Sequence, residues 1–192
     1  MISMKRATTS EDRIFSDYKR IKKLIEEHKS SGKKVVLTQG TFDMIHVGHG
    51  RYLREAKKYG DILIVGLDSD KKIRFRKGPD RPVVPEEERI EMLNHLRYVD
   101  LVFVKELGDP KWNLIKTICP HVLIATKETY NKKQLKELKK YCEKVVVLER
   151  MATTSTSAKI RLLQLGTAKK LAETLTSQFL KTIENVLIEI KK

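Results

Sequence analysis

The amino-acid sequence predicts an α/β protein with a Rossmann-like, doubly wound parallel sheet of about five strands. Short apolar runs alternate with helical patterns about five times along the chain, an order typical of a parallel sheet covered by helices. The runs are continuously apolar, as expected for strands that are buried on both faces. A segment with glycine and histidine follows the first run, where such sheets bind ligands.

The predicted elements follow one another with short connections. The first strand covers Val35 to Thr38, after a turn at Ser30-Ser31-Gly32. The next run, ILIVGL at 62–67, has the length of a strand. The further predicted strands are 99–104, 121–125 and 144–148, and the predicted helices between them are 48–59, 85–97, 110–118 and 131–142.

Two more helical patterns flank this core. Residues 11–29 place Ile14 and Ile21 at helical spacing, which predicts an amphipathic helix before the sheet. Residues 167–190 form a second amphipathic pattern after Gly166, which we expect to break the helical run. The predicted segments are an N-terminal helical extension 1–32, an α/β domain 33–165 and a C-terminal amphipathic helix 166–192. The apolar stripe of the last helix can pack on the domain or build the homodimer that we expect.

The chain is strongly basic. Its 192 residues include 40 Lys and Arg against 25 Asp and Glu, so the formal net charge is +15. Such a charge suits nucleic acid, an acidic membrane surface or small phosphorylated substrates, or it is a lysine-rich surface without a specific partner. No run approaches the roughly 18 apolar residues of a membrane span. Aromatic residues make up only 6% and show no RNA-binding motif, which argues against nucleic acid.

The N-terminus and the cysteines predict a cytoplasmic protein. Residues 1–10 carry positive charge but no apolar stretch, so we expect no secretory signal. Cys119 and Cys142 show no CxxC pairing, which excludes a cysteine zinc cluster and a disulfide scaffold. A reducing compartment is the default for such a chain.

The most informative segment is TQGTFDMIHVGH, residues 38–49. Gly40 lets the backbone approach a ligand closely, and Gly48 lies at a helix start, where free N–H groups and the helix dipole favour anions. His46 and His49 are three residues apart and share one helix face. Two imidazoles there can donate hydrogen bonds to phosphate oxygens and stabilise the charge that develops on an attacked phosphorus.

Other interpretations of the two histidines stay open from the residues alone. A pair at this spacing can ligate a metal, or either imidazole can be a hydrogen-bonded group at a turn. Zinc would need a third ligand, and neither HExxH nor a nearby cysteine supplies one, so we expect no metal ligands in the protein. Neither GxxxxGKS/T nor GxGxxG occurs, which excludes a P-loop NTPase and an ordinary dinucleotide-binding protein.

The segment GTFDMIHVGH resembles the GxFDxxHxGH signature of a nucleotidyltransferase family. This family includes glycerol-3-phosphate cytidylyltransferase and the nucleotidyltransferase domain of ADP-heptose synthase. Three further segments resemble the family in the same order, namely LDSDKKIRFRKGPDRPVVPEEER, RYVD and TSTS followed by AKI. The resemblance covers residues 33–165 and implies that they form a nucleotidyltransferase domain.

The resemblance implies roles for individual residues. His46 and His49 would contact the nucleoside triphosphate and stabilise the transition state. Lys77 would bind phosphates of substrate and nucleotide, and Arg89 would approach the triphosphate. The remaining implied nucleotide-binding residues are Thr41 and Phe42, which would line the site, and Thr154, Ser155 and Thr156, whose hydroxyl groups would meet the β and γ phosphates at a helix start.

Lys77 lies in a strongly basic stretch. Six of the eleven residues 71–81 are basic, and Asp80 is the one acid among them. Gly78 and Pro79 predict a loop. By itself such a run can be a solvated loop, but beside a phosphate site it predicts a basic lid.

The residues and the resemblance together predict a nucleotidyltransferase. It would transfer a nucleoside monophosphate from ATP or CTP to a small phosphorylated acceptor and release pyrophosphate. The acceptor would be a sugar phosphate such as heptose 1-phosphate, or a polyol or alcohol phosphate. The GTFD form resembles cytidylyltransferases and the lid resembles heptose enzymes, so the base stays open. Mg²⁺ is expected as a cofactor carried with the nucleotide.

Two alternatives remain. One is a flavin- or coenzyme-directed nucleotidyltransferase of the same superfamily, which would consume a phosphorylated vitamin. The other is a basic nucleic-acid-binding or regulatory module with a vestigial nucleotide site, motivated by the charge of the chain. Such binding would weaken steeply with salt.

Overall fold

The protein is built on a parallel sheet of six strands, described by a computed structural model over residues 10–127, 129–149, 151 and 156–190. After a short 3₁₀ helix, Ser10–Arg13, the strands are β1 (Ile14–Phe15), β2 (Val35–Gly40), β3 (Ile62–Asp68), β4 (Leu101–Lys105), β5 (Val122–Thr126) and β6 (Lys144–Leu148). The helices are α1 (Tyr18–Ser30), α2 (Val47–Lys57), α3 (Asp70–Lys77), α4 (Glu86–His95), α5 (Asn113–Ile118), α6 (Lys132–Leu138) and α7 (Thr156–Ile190). The predicted Rossmann-like α/β fold is confirmed.

A hydrophobic cluster covers each face of the sheet. One cluster joins the strands to α1, α5 and α6, and the other joins them to α2 and α4. Leu37 and Ile64 belong to the first cluster, whereas their neighbours Val36 and Val65 belong to the second. Successive side chains of a strand point to opposite faces, so strands covered on both faces need the continuous apolar runs seen in the sequence.

The direction of strand addition changes at β2. The sheet order is β1-β4-β3-β2-β5-β6, so β3 and β4 are added on one side of β2, and β5 and β6 on the other. Open α/β sheets bind ligands beyond the carboxyl ends of the strands at such a switch point. Residues 41–46 leave β2 at this position, as the sequence predicts.

The N-terminal segment differs from the single helix predicted over 11–29. Ile14 and Phe15 form β1 and pair with β4 at the edge of the sheet, and α1 begins only after an N-cap at Asp17. The side chain of Arg13 donates hydrogen bonds to the backbone carbonyl oxygens of Asp100, just before β4, and of Asn94, in α4. The prediction of a helix at Ile14 is wrong, because pairing with a distant strand leaves no mark in the local periodicity.

The C-terminal helix α7 is longer than predicted. It begins at Thr156 and continues through Gly166, so the prediction that this glycine breaks the helix is wrong. An interior glycine costs about 1 kcal/mol relative to alanine, and the surrounding helix-forming residues outweigh that cost. No helix in the described part of the chain has the length and apolar character needed to cross a membrane.

The chain divides between residues 153 and 154 into two compact units, and α7 is the described part of the second. The predicted functional segments 1–32, 33–165 and 166–192 stay a prediction.

Candidate active site

The loop after β2 has a strained backbone. Phe42 and Met44 both have φ of 48°, a left-handed conformation that is uncommon for residues with a Cβ atom. A Cβ atom on Gly40 would lie 3.0 Å from the ring of Phe42, so glycine lets this ring fold back over the strand end. The buried ring of Phe42 also lies beside the ring of His49, with 5.5 Å between centroids. Gly40 and Phe42 therefore shape the loop, while their contact with a nucleotide stays a prediction.

Asp43 holds this loop against the segment that precedes α4. Its buried carboxylate accepts hydrogen bonds from the backbone N–H groups of Val83 and Val84 and from Nε of Arg81, the last at 2.9 Å. Burial alone would raise the pKa of Asp43, but the two backbone donors and Arg81 outweigh it, so the pKa lies below its usual value. These bonds offset the strain of the neighbouring backbone.

His46 and His49 lie together at the start of α2, as predicted. Nδ1 of His46 accepts a hydrogen bond from the Gly48 N–H at 3.0 Å, and Nδ1 of His49 accepts one from the His46 N–H at 3.3 Å. A ring nitrogen that accepts such a bond carries no proton, so each neutral imidazole carries its proton on Nε2. The ring centroids are 4.3 Å apart. The hydrogen bonds thus fix both rings in the tautomer that has an Nε2–H donor.

The start of α2 is capped by the protein itself. The N–H group of Gly48 donates to His46 and is therefore not free, contrary to the sequence-based expectation. The N–H group of His49 donates to the carbonyl oxygen of His46 at 2.9 Å. The two imidazoles, more than these backbone amides, are the donors suited to an anion here, and a contact of Gly48 with nucleotide stays a prediction.

The basic stretch 71–81 is helical over much of its length, not a loop. Ser69 caps α3 by accepting a hydrogen bond from the Lys72 N–H at 3.3 Å, and Gly78, with φ of 96°, ends the helix. The loop prediction is wrong for residues 71–77. Closely spaced charges leave this helix without the apolar periodicity by which amphipathic helices are found.

Lys77, the last residue of α3, reaches the loop after β2. Its Nζ donates a hydrogen bond to Oγ1 of Thr41 at 2.9 Å, so two predicted site residues meet. Desolvation lowers the pKa of Lys77, and the positive charges of Arg81 and Arg76 lower it further. A bound anion would relieve this repulsion, so the electrostatics favour a phosphate group at this place.

Arg89 is buried, with only 1% of its surface exposed. Its guanidinium joins the ends of β2 and β3 to the starts of α3 and α4. The acceptors are the carbonyl oxygens of Thr41, Asp68 and Val84 and a carboxylate oxygen of Asp70, at 2.7–3.0 Å. This geometry makes Arg89 a residue that positions the loop, and its predicted contact with the triphosphate stays a prediction.

A second charged cluster, at the ends of β3 and β4, was missed by the sequence analysis. The buried carboxylate of Asp68 pairs with Lys105 at 2.8 Å and with Arg76 at 3.1 Å. Lys105 also donates to Oε1 of Gln39 at 2.8 Å. Burial lowers the pKa of Lys105, and Asp68 opposes this effect. Charged residues that end apolar runs were the signal that could have revealed the cluster.

The predicted hydroxyl motif cannot be placed. Thr154 and Ser155 lie outside the described residues, and only the backbone of Thr156 is described, as the first residue of α7. Their phosphate contacts stay a prediction. Within the described ranges, no group of three or more His, Cys, Asp or Glu could hold a metal ion.

Two oriented imidazoles lie at the end of a loop whose first residue, Thr41, is hydrogen-bonded to Lys77 and Arg89. This arrangement, at the switch point of a parallel sheet, is suited to a nucleotide phosphate and places the protein in the class of α/β nucleotide-binding enzymes. The family follows from sequence comparison. The chain belongs to the cytidylyltransferase-like family, whose sequence model matches residues 37–183. The resemblance and the class of enzyme, a nucleotidyltransferase, are thereby confirmed, and the alternative of a nucleic-acid-binding module is not favoured.

Relatives and solved structures agree with this family. The bifunctional protein HldE of Sulfurimonas denitrificans is 44% identical over 116 residues, which are 60% of this chain and 24% of that protein. HldE of Geobacter metallireducens is 46% identical over 101 residues, 53% of this chain and 20% of that protein. The chain thus spans no more than a quarter of the length of these relatives.

A lipopolysaccharide core biosynthesis protein from Thermoplasma volcanium has a similar structure. Its TM-score is 0.54 at 28% identity, covering 62% of this chain and 98% of that one. Pantoate-beta-alanine ligase from Francisella tularensis shares only the fold, with a TM-score of 0.53 at 16% identity, covering 70% of this chain and 66% of that one.

Proposed function

We propose that the protein transfers a nucleoside monophosphate from ATP or CTP to the phosphate of a small acceptor. The observation that carries the proposal is the pair His46 and His49, each of which accepts a backbone hydrogen bond at Nδ1, so that the neutral ring carries its proton on Nε2. The similarity to HldE proteins favours a sugar phosphate such as heptose 1-phosphate as the acceptor. A polyol or alcohol phosphate is the other acceptor class to be tested.

The reaction needs positioning and charge stabilisation rather than a protein nucleophile. A phosphate oxygen of the acceptor forms a bond to the α-phosphorus of the nucleotide. The bond from that phosphorus to the bridging oxygen of the β-phosphate breaks, and pyrophosphate leaves with the electron pair. His46 and His49 donate hydrogen bonds to the phosphate oxygens on which charge develops. Lys77, which contacts Thr41 at the start of the loop after β2, supplies positive charge.

Magnesium is proposed only as an ion that accompanies the nucleotide. The carboxylates of Asp43, Asp68 and Asp70 are each paired with a cationic side chain, so they do not fit a carboxylate cage for Mg²⁺. When bound to the triphosphate, the ion would supply charge neutralisation. No role of the residues named above depends on it.

The test is pyrophosphate release across ATP and CTP, each with heptose 1-phosphate, glycerol 3-phosphate and a phosphorylated vitamin. We expect turnover with a sugar or polyol phosphate, and a loss of about 10²–10³ in kcat for His49→Ala, comparable to the removal of one oxyanion-hole donor. His95→Ala is the matched control, because that exposed side chain lies at the end of α4 and pairs only with a surface glutamate among the interactions seen here. Absence of turnover for every pair, or equal activity of His49→Ala and wild type, would contradict the proposal.

The oligomeric state and the location of the protein are further proposals. We propose a homodimer in the cytoplasm and no nucleic-acid partner. Analytical ultracentrifugation at micromolar concentration tests the dimer, and a single species of about 22.3 kDa, the mass of one chain, would contradict it.

A further inference from the structure

Arg76 is a cation near the site whose carboxylate partner also holds a second, buried cation, and its positive charge adds to the effect of burial in lowering the pKa of Lys77. The Arg76 side chain is 50% exposed and contacts Oδ2 of Asp68 at 3.1 Å. The other carboxylate oxygen of Asp68 lies 2.8 Å from Nζ of Lys105, and both of these side chains are buried. Asp68 therefore has one partner on the exposed helix α3 and another within the sheet.

This arrangement makes the departure of Arg76 from Asp68 inexpensive. A buried carboxylate that loses its single cation is strongly destabilising, but Asp68 would keep Lys105 as its partner. The Arg76 side chain is half exposed, so its movement away from Asp68 leaves no cavity in the core. The ion pair between Arg76 and Asp68 is thus one that another anion can replace.

Lys105 is held beside Asp68 by a second contact, so that it can remain the partner of Asp68 when Arg76 leaves. Its Nζ also donates to Oε1 of Gln39 at 2.8 Å. A Cβ atom on Gly66 would lie 3.1 Å from Cγ of Gln39 and 3.3 Å from Cε of Lys105. The glycine of β3 therefore gives both side chains the room to meet over the strand.

We propose that Arg76 is a further phosphate-binding residue of this site, and that Lys105 is the positioning residue that makes it available by neutralising Asp68. Without substrate, Arg76 rests on Asp68. When a phosphate group binds, Arg76 exchanges the carboxylate for the phosphate. The inference rests on the proposed function, since the phosphate belongs to the nucleotide or to the acceptor.

The experiment measures binding as well as turnover. Calorimetry with ATP, CTP and inorganic pyrophosphate reports on the nucleotide phosphates, and the KM for the acceptor reports on the acceptor phosphate. We expect Arg76→Gln to weaken one of these by about 10-fold, as for one hydrogen bond between charged groups. Arg74→Gln is the matched control on α3. That half-exposed arginine pairs with Asp70, which also has a second cation, Arg89. However, Arg76 and not Arg74 is among the charges that, after burial, chiefly lower the pKa of Lys77. Arg74→Gln should change neither quantity by more than about 2-fold.

A double-mutant cycle tests the role of Lys105. Lys105→Met leaves Arg76 as the partner of Asp68, so we expect it to weaken the same ligand about 5- to 10-fold. In the Arg76→Gln background it should add no further loss. The neutral pair Asp68→Asn/Lys105→Met should restore binding to within about 2-fold of wild type, because nothing then retains Arg76. If Lys105→Met does not fold, ligand affinity is compared between the Asp68→Asn/Lys105→Met protein and the same protein with Arg76→Gln added.

Each outcome decides the inference separately from the proposed function. A loss in ATP, CTP or pyrophosphate affinity assigns Arg76 to the nucleotide, and a rise in acceptor KM alone assigns it to the acceptor. No change in any of them for Arg76→Gln overturns the inference. Additive losses in the double variant, or failure of the neutral pair to restore binding, overturn the role of Lys105. A wild-type protein that binds nucleotide but releases no pyrophosphate contradicts the proposed function and leaves the binding cycle intact.

Discussion

Single carboxylates at the strand ends organise the candidate site. Asp43 fastens the loop after β2, Asp70 receives Arg89, and Asp68 receives Lys105 and Arg76. Each of these carboxylates is mostly buried. Each pairs with a basic side chain from another segment of the chain. By holding the loop after β2 and Lys105 in place before a substrate binds, these carboxylates preorganise the site.

Asp43→Asn is expected to destabilise the fold at neutral pH by about 2–4 kcal/mol, since it removes the charge that Arg81 and two backbone N–H groups bind. The folded pKa of Asp43 lies below the unfolded value of about 3.9. Its stabilisation is therefore present above about pH 4 and is lost as the pH falls through the folded pKa. Urea unfolding at pH 7 and pH 3 should show a difference between wild type and variant that shrinks on acidification.

Asp80→Asn controls for charge removal in the same region, because Asp80 is exposed. It should change stability by less than about 0.5 kcal/mol. An equal difference between wild type and Asp43→Asn at both pH values would contradict the assigned role of the carboxylate.

At this scale the sequence predicts the residue types better than their contacts. The two histidines could be found because they are close in the chain and lie at a helix start. Asp43 and Lys105 could not, since their partners are 38 and 66 residues away in sequence. Only the fold brings such groups together.

At the scale of elements, the turn between α2 and β3 sets how closely the helix approaches the sheet. A Cβ atom on Gly60 would lie 2.7 Å from the carbonyl oxygen of Lys34 and 2.8 Å from Cγ2 of Val36. Because backbone cannot yield as a flexible side chain can, we expect Gly60→Ala to cost about 1–3 kcal/mol. The measurement is the midpoint of urea unfolding.

Gly50→Ala gives the matched comparison. Gly50 lies within α2, and apart from its chain neighbours and the backbone of its own helix no atom lies within 4 Å of an added Cβ, so alanine should stabilise by about 0.5–1 kcal/mol. If both variants shift the urea midpoint in the same direction, the close contact of Gly60 with Lys34 and Val36 does not determine the effect of Gly60→Ala on stability.

Strands and helices with an apolar sequence pattern could be predicted. Elements that depend on pairing with a distant strand or on ion pairs could not. The strands β2 to β6 follow from continuous apolar runs. The strand β1 has only two residues and exists because β4 offers a free edge. The helix α3 depends on its Ser69 cap and on acidic groups that pair with its arginines, neither of which is an apolar pattern.

At the scale of the whole molecule, the two compact units differ in what holds them together. The buried hydrophobic residues that the structure describes lie between Phe15 and Leu148, so the first unit contains both core clusters. Much of the net charge of +15 also belongs to it. The cations of α3 use part of that charge at the candidate site, where ion pairs and a phosphate ligand can balance it.

A chain that ends at residue 153 should therefore fold by itself. We expect cooperative thermal unfolding with a Tm within about 4 °C of the full chain, since a change of about 1 kcal/mol shifts the Tm of a domain of this size by about 2–4 °C. Its affinity for ATP or CTP should fall, because Thr154, Ser155 and Thr156 are proposed to bind the β and γ phosphates. The full-length variant Ser155→Ala/Thr156→Ala separates the two effects by removing the hydroxyl groups alone. A truncated chain without a cooperative transition would show that residues beyond 153 are needed for the fold, and unchanged affinity in both proteins would remove the hydroxyl motif from the site.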